Sequence, residues 1–277
     1  MSVTREGSGG VRPLERGHPW NARFFEKNPL FWPVCRRAAA FVDFGDWPSI
    51  AEIDAAWSDY SGIHFKEQPP KVRRRRRGKR LPIETETLYD ARIRLEGWVP
   101  TRARNWHDFL NALVWATFPL AKRELHTRQH AAVTARIQAG DRVLPGTRTR
   151  ELDGLAILDE GGMVMLVETQ LEAQMAEWID SKNLDNVQGA IREGRANAVL
   201  FGHALYETLL GENPAATWAM VTMISTGDTV PPNEYVQTNF ADRHLGAKIA
   251  TPENFTNPDT FRNLPLDAQI LRPPKNL

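Results

Sequence analysis

Residues 105–137 read NWHDFLNALVWATFPLAKRELHTRQHAAVTARI, and this stretch decides the fold class. Trp106, Phe109, Leu110, Leu113, Val114 and Thr117 recur three and four apart, the spacing that gathers side chains on one face of an α-helix. Asn105 stands just ahead and can accept a first-turn N–H, so it is the expected N-cap. Pro119 has no N–H to donate and its ring crowds the preceding turn. That predicts a kink, or a break at which Pro119 opens a second helix running to about Ile137.

Upstream, Asn28-Pro29, Trp32-Pro33 and Trp47-Pro48 punctuate residues 20–66 into short helical segments. Ser49 with Glu52 forms a capping box for a helix to about Tyr60. Trp20, Phe24, Phe31, Phe41, Trp47 and Trp57 crowd this region, and such rings serve most often as core. A further helix is expected at Glu86–Glu96, where Leu88, Ala91 and Leu95 keep helical spacing.

Downstream, Leu155–Leu158 and Met163–Val167 flank Asp159-Glu160-Gly161-Gly162, which reads as a β-hairpin with both strands mostly buried. On that reading Asp159 and Glu160 are turn residues and drop out of any site. Helices are expected at Leu171–Ile179 and Asn197–Leu210, and a third strand at Trp218–Ile224. The fold class is therefore α+β, mainly helical, with a small sheet built on a hairpin plus at least one further strand. Residues 1–19 are expected to be mobile, 20–225 to form one globular domain, and 226–277 to wrap it as an irregular tail.

The 277 residues, 42% hydrophobic and 25% charged, suffice for a sizeable core. A net charge of +1 gives no global field toward nucleic acid or membrane. One cysteine, Cys35, excludes a disulfide scaffold, a cysteine-based zinc site and an iron–sulfur cluster. The N-terminal residues lack an apolar stretch of signal-peptide type, and no run is long enough to span a bilayer. A cytoplasmic bacterial protein with no membrane partner is the simplest expectation.

Four features can carry chemistry. On the helix from Asn105, His107, Asp108, Asn111 and Trp115 share a face. Imidazole, carboxylate and amide in one patch can ligate a metal or act as a base with an orienting partner; equally, they can cap and pack the helix and do nothing more. Arg102 and Arg104 approach the same helix N-terminus, a combination suited to an anion. His203 and Glu207 lie four apart in FGHALYE and can supply an acid–base or ligand pair, or serve the core. Asp153 and Glu168, at the outer ends of the expected hairpin, offer further oxygen donors for a divalent metal. His126 and His130, four apart among Arg and Gln, read as a solvated face rather than a metal pair. Finally, Lys71, Arg73, Arg74, Arg75, Arg76, Arg77, Lys79 and Arg80 form a cationic loop between prolines, open to nucleic acid or another polyanion, or simply solvated.

The strings GWVPTRARNWHDFLNALVWATFPLAKREL (97–125), DGLAILDEGGMVML (153–166) and FGHALYETLL (201–210) resemble the bacterial family known as domain of unknown function 3025. Matching positions are Arg102, Asn105, Trp106, His107, Asp108, Asn111, Trp115, Lys122, Asp153, His203 and Glu207, and the likeness covers most of 20–225. The basic loop and the C-terminal tail depart from the family's pattern. The resemblance implies no activity, but it does imply that the His107 patch and the His203 helix belong to one design. The functional expectation is a small hydrolase, metal-dependent or acid–base, acting on an anionic small molecule such as one that bears a phosphate. In it His107, Asp108, Asn111, His203 and Glu207 would be catalytic. Arg102, Arg104, Trp115 and Lys122 would bind substrate, and His107, Asp108 and Asp153 any divalent metal. The alternatives are polyanion binding through Arg73–Arg77 and a structural or assembly role.

Overall fold

A computed structural model describes residues 18–68, 82–144, 146–211 and 214–272. The N-terminal segment up to residue 17 and the basic loop with Arg73–Arg77 fall outside those residues. The helices are α1 (Cys35–Ala38), α2 (Ile50–Ser61), α3 (Tyr89–Ala91), α4 (Trp106–Thr117), α5 (Pro119–Thr134), α6 (Arg150–Gly161), α7 (Glu172–Asp180), α8 (Leu184–Arg192), α9 (His203–Leu210), α10 (Glu234–Ala250) and α11 (Ala268–Leu271). The strands are β1 (His64–Glu67), β2 (Trp98–Thr101), β3 (Gly162–Val167), β4 (Ala196–Leu200), β5 (Trp218–Ser225) and β6 (Arg262–Pro265). The fold is a mainly helical α+β one.

Local chemistry starts these helices where the sequence places the caps. The Asn105 side chain accepts the Asp108 N–H at 3.0 Å and opens α4. The Ser49 hydroxyl accepts the Glu52 N–H, and the Glu52 carboxylate accepts the Ser49 N–H, completing the capping box of α2. Pro119 sits at the first turn of α5, so the chain breaks at Phe118 rather than kinking.

Two sheets form. β1 and β2 pair in parallel. The main sheet has the order β4-β3-β5-β6, with β3 parallel to β5 and antiparallel to β4. β3 is buried along its whole length, as its apolar run GMVMLV requires of a central strand.

Three expectations fail. The hairpin does not exist: residues 150–161 are helix α6, and β3 pairs with β4 and β5. Leu152, Leu155 and Leu158 stand three apart on one buried helical face, and the Thr149 side chain accepts the Leu152 N–H as N-cap. Residues 196–200 are strand, not helix, and α8 lies ahead of them. The tail is not irregular either, because α10, β6 and α11 all fall within it, and β6 completes the main sheet.

One hydrophobic cluster runs through the described residues. The early aromatics join it: Trp20 stacks on Trp106 at 5.2 Å and meets Phe109 edge-on at 5.1 Å, and Phe41 packs edge-on to Trp57. Of the aromatics in residues 20–60, Tyr60 is the large ring that stays exposed.

Candidate functional site

Helix α4 is buried on nearly all sides. His107, Asp108 and Asn111 are its exceptions, partly accessible along one stripe. That stripe faces an open cleft of about 660 Å³ whose walls also include Tyr89, Arg102, Asp159, Glu160 and His203.

Two glycines bring the other wall into place. At the α6–β3 junction the Gly162 carbonyl accepts both the Phe201 and Gly202 N–H groups, at 3.0 and 2.8 Å. A Cβ on Gly202 would stand 2.5 Å from the Glu160 carbonyl oxygen and 2.5 Å from the Gly162 nitrogen. Only glycine lets these backbones approach so closely. The C-terminal end of α6, carrying Asp159 and Glu160, is thereby held against the start of α9, carrying His203.

The imidazoles of His107 and His203 meet across this junction. Their Nε2 atoms are 3.2 Å apart. His107 Nδ1 donates to the Glu207 carboxylate at 3.1 Å, and His203 Nδ1 donates to the Asp159 carbonyl at 2.9 Å. Both acceptors are oxygens, so the protons belong on Nδ1 and each Nε2 is left as an electron-pair donor. Glu160 Oε2 lies 3.5 Å from His203 Nε2. The hydrogen bond to Glu207 raises the His107 pKa above its ordinary value. Burial, with Lys122 and His107 nearby, pushes His203 down to about 3, so that ring is neutral at ordinary pH.

Beneath the cleft floor lies a buried ion pair. Lys122 is wholly enclosed, and its ammonium donates to Asp159 at 2.5 Å and to Asn111 at 2.9 Å. Burial would push the Asp159 carboxyl up, but the enclosed Lys122 ammonium outweighs it and holds the group far below the usual carboxylate range. At the mouth Arg102 donates to Asp108 through its backbone N–H, Nε and Nη2 at 2.7–2.9 Å, and its side chain stays half exposed.

The structure thus brings together His107, Asp108, Asn111, His203, Glu207, Arg102 and Lys122, from three helices and a strand end. Other expected members fall outside. Trp115 is fully buried, stacked on His126 at 5.3 Å, and offers no surface to a substrate. Lys122 is an internal counter-ion out of a substrate's reach. Arg104 turns away to Asp46. Asp153 lies nearly two helical turns before Asp159, outside the cleft wall, and Asp108 is committed to Arg102; neither joins the cluster that, among the described residues, can hold a metal, namely His107, Glu160 and His203. Glu168 pairs with Arg195 at the far end of β3. His126 and His130 are buried rather than solvated, His126 against Asp90 at 2.8 Å. Asp159 and Glu160, set aside as turn residues, are central. The signal that could have found them was the Leu152-Leu155-Leu158 spacing after a Thr149 cap, which puts 159–160 at a helix end. The polyanion reading of Arg73–Arg77 concerns residues outside those described.

No curated protein and no solved structure matches this chain. Among the described residues, no helix is long and apolar enough to cross a membrane. One family does match, described as "Protein of unknown function (DUF3025)", over residues 78–268. That span contains every cleft residue on α3, α4, α6 and α9, begins within the basic loop, and takes in α10 and β6, so the family pattern extends into the C-terminal region. The chain belongs to the DUF3025 family.

Proposed function

We propose that the protein is a hydrolase that activates water at the His107–His203–Glu160 centre and acts on a small molecule carrying an anionic group, such as a phosphate ester. The observation that supports this is the pair of imidazole Nε2 atoms 3.2 Å apart, each ring fixed from behind through Nδ1, at the floor of an open cleft. Two lone pairs aimed at one point either accept a proton from an adjoining water or hold a metal ion that lowers that water's pKa, and both routes make the water a nucleophile. Glu207 is the positioning group behind His107, and Lys122, itself donating to Asn111, holds Asp159, whose carbonyl fixes His203. Arg102, half exposed at the mouth, is the cation available to the substrate's anion. A bacterial, cytoplasmic setting belongs to the same reading and rests on the single cysteine and the sequence expectation.

The test is a screen of chromogenic carboxylic and phosphate esters with wild type, His203→Ala and Arg102→Ala. Turnover should fall at least about 100-fold in His203→Ala. In Arg102→Ala, KM should rise for anionic substrates and not for neutral ones. Wild-type turnover of no ester class, or undiminished turnover in His203→Ala, removes the reading.

A further inference from the structure

We infer that His107, His203 and Glu160 bind one divalent transition-metal ion, zinc being the type that fits. This deepens the hydrolase reading by naming the ion, and it rests on that reading only for what the ion does.

The donor atoms of the three side chains lie within 4.8 Å of one another. Metal–nitrogen bonds of about 2.0–2.1 Å at a tetrahedral angle separate two ligating nitrogens by about 3.3 Å. The two Nε2 atoms stand at 3.2 Å, so both rings already hold the spacing that a shared ion imposes. Glu160 Oε2 is 3.5 Å from His203 Nε2, and its half-exposed side chain has room to close the third edge.

The outer groups agree. Each ligating imidazole donates its other N–H to an oxygen, His107 to the Glu207 carboxylate and His203 to a main-chain carbonyl. That support fixes the tautomer a metal needs and raises ligand basicity. The local charge agrees as well. Asp108, Asp159, Glu160 and Glu207 face two cations, Arg102 and Lys122, each already joined to one of those carboxylates. The remainder is two negative charges beside two imidazole nitrogens, which suits a divalent cation. Two nitrogens and one carboxylate favour zinc, cobalt or nickel over magnesium or calcium, which prefer all-oxygen shells. The cleft lies on the open side, where a water can complete the coordination.

The test uses full-length protein stripped with a chelator and titrated with zinc chloride by calorimetry, and with cobalt chloride by visible absorption. One equivalent of zinc should bind, and cobalt should give the intense visible bands of a tetrahedral site. Affinity in His107→Ala and in Glu160→Gln should drop by more than the roughly 10–100-fold that losing an outer-shell partner costs. Asp153→Asn should bind as wild type does. Glu160 is half exposed, so its variant tests the site without challenging the fold, and circular dichroism of the metal-free proteins checks this. Absence of stoichiometric zinc in wild type overturns the proposal, as does wild-type affinity in both ligand variants. The hydrolase reading fails separately: zinc bound without hydrolysis of any ester leaves the site standing, whereas hydrolysis surviving in chelated protein leaves the hydrolase and removes the ion's part in the reaction.

Discussion

His107 and His203 lie 96 residues apart in sequence, on separate helices, and their Nε2 atoms face each other across 3.2 Å. Hydrogen bonds on the far side of each ring hold this contact, so weakening either one should weaken the centre without emptying it. Replacing Glu207 by Gln leaves an acceptor for His107 Nδ1 but removes the charge behind it. Zinc affinity should fall by about 10–100-fold, with the melting temperature of the metal-free protein little changed. Calorimetry beside a thermal melt checks this, and unchanged affinity would show that Glu207 plays no supporting part.

Lys122 has no exposed surface and is matched by Asp159 and Asn111. Removing one member of a buried ion pair leaves the other charge without compensation, at a cost of about 3–5 kcal/mol. Asp159 keeps some exposure, which places Lys122→Ala toward the lower end of that range. Because Asp159 titrates well below an ordinary carboxylate in the folded chain, its contribution is present at neutral pH and lost as pH falls below the unfolded value. Urea unfolding at pH 7 should therefore show the larger deficit for Lys122→Ala, and unfolding near pH 3 a smaller one. Equal deficits at both pH values would contradict this account.

The helical half of the site was legible in the sequence because the determinants are local. The Asn105 cap, the apolar stripe and the interruption at Pro119 fix α4 and α5 by chain spacing alone, and the same spacing puts His107, Asp108 and Asn111 on one face. The other wall is ambiguous in sequence because LDGLAILDEGGMV (152–164) carries two periods at once. Its leucines satisfy a helix and its run of apolar residues a strand, and Gly161-Gly162 suggests a turn. What decides the matter is the long-range seating of Gly202 on the backbone of Glu160 and Gly162, which no local pattern announces. Burial of Trp115 and Lys122 was hidden for a related reason. They share a helical neighbourhood with the polar stripe, but α6 and α5 cover them.

That seating makes a direct prediction. A methyl group on Gly202 would collide with main-chain atoms of Glu160 and Gly162, and backbone cannot swing aside as a flexible side chain can. Gly202→Ala should lose about 1–3 kcal/mol of stability. It should also move Glu160 away from His203, so zinc affinity should fall although no ligand is altered. Gly189→Ala, where a Cβ meets nothing within 4 Å, is the control and should be neutral or mildly stabilising by helix propensity. Loss of stability in the control and not in Gly202→Ala would refute the close-approach argument.

Helix α5 has Pro119 in its first turn and no side-chain cap from Phe118. Asp242 on α10 supplies the cap from outside, accepting the Leu120 N–H at 3.2 Å and the Ala121 N–H at 2.8 Å. Burial pushes this carboxyl up to about 6, against the pull of those two N–H groups and of Arg123 and Arg243. Between the ordinary carboxylate value and about 6 the folded chain therefore holds a proton that the unfolded chain releases. The contribution of Asp242 is fully present below that window and declines as pH rises through it, by at most about 3 kcal/mol. Asp242→Asn keeps an oxygen acceptor for one N–H and cannot titrate. The stability of wild type relative to this variant should consequently fall between pH 4 and pH 7 in urea unfolding. A relative stability that rises over that interval would mean that the helix N-terminus, rather than burial, governs the charge on Asp242.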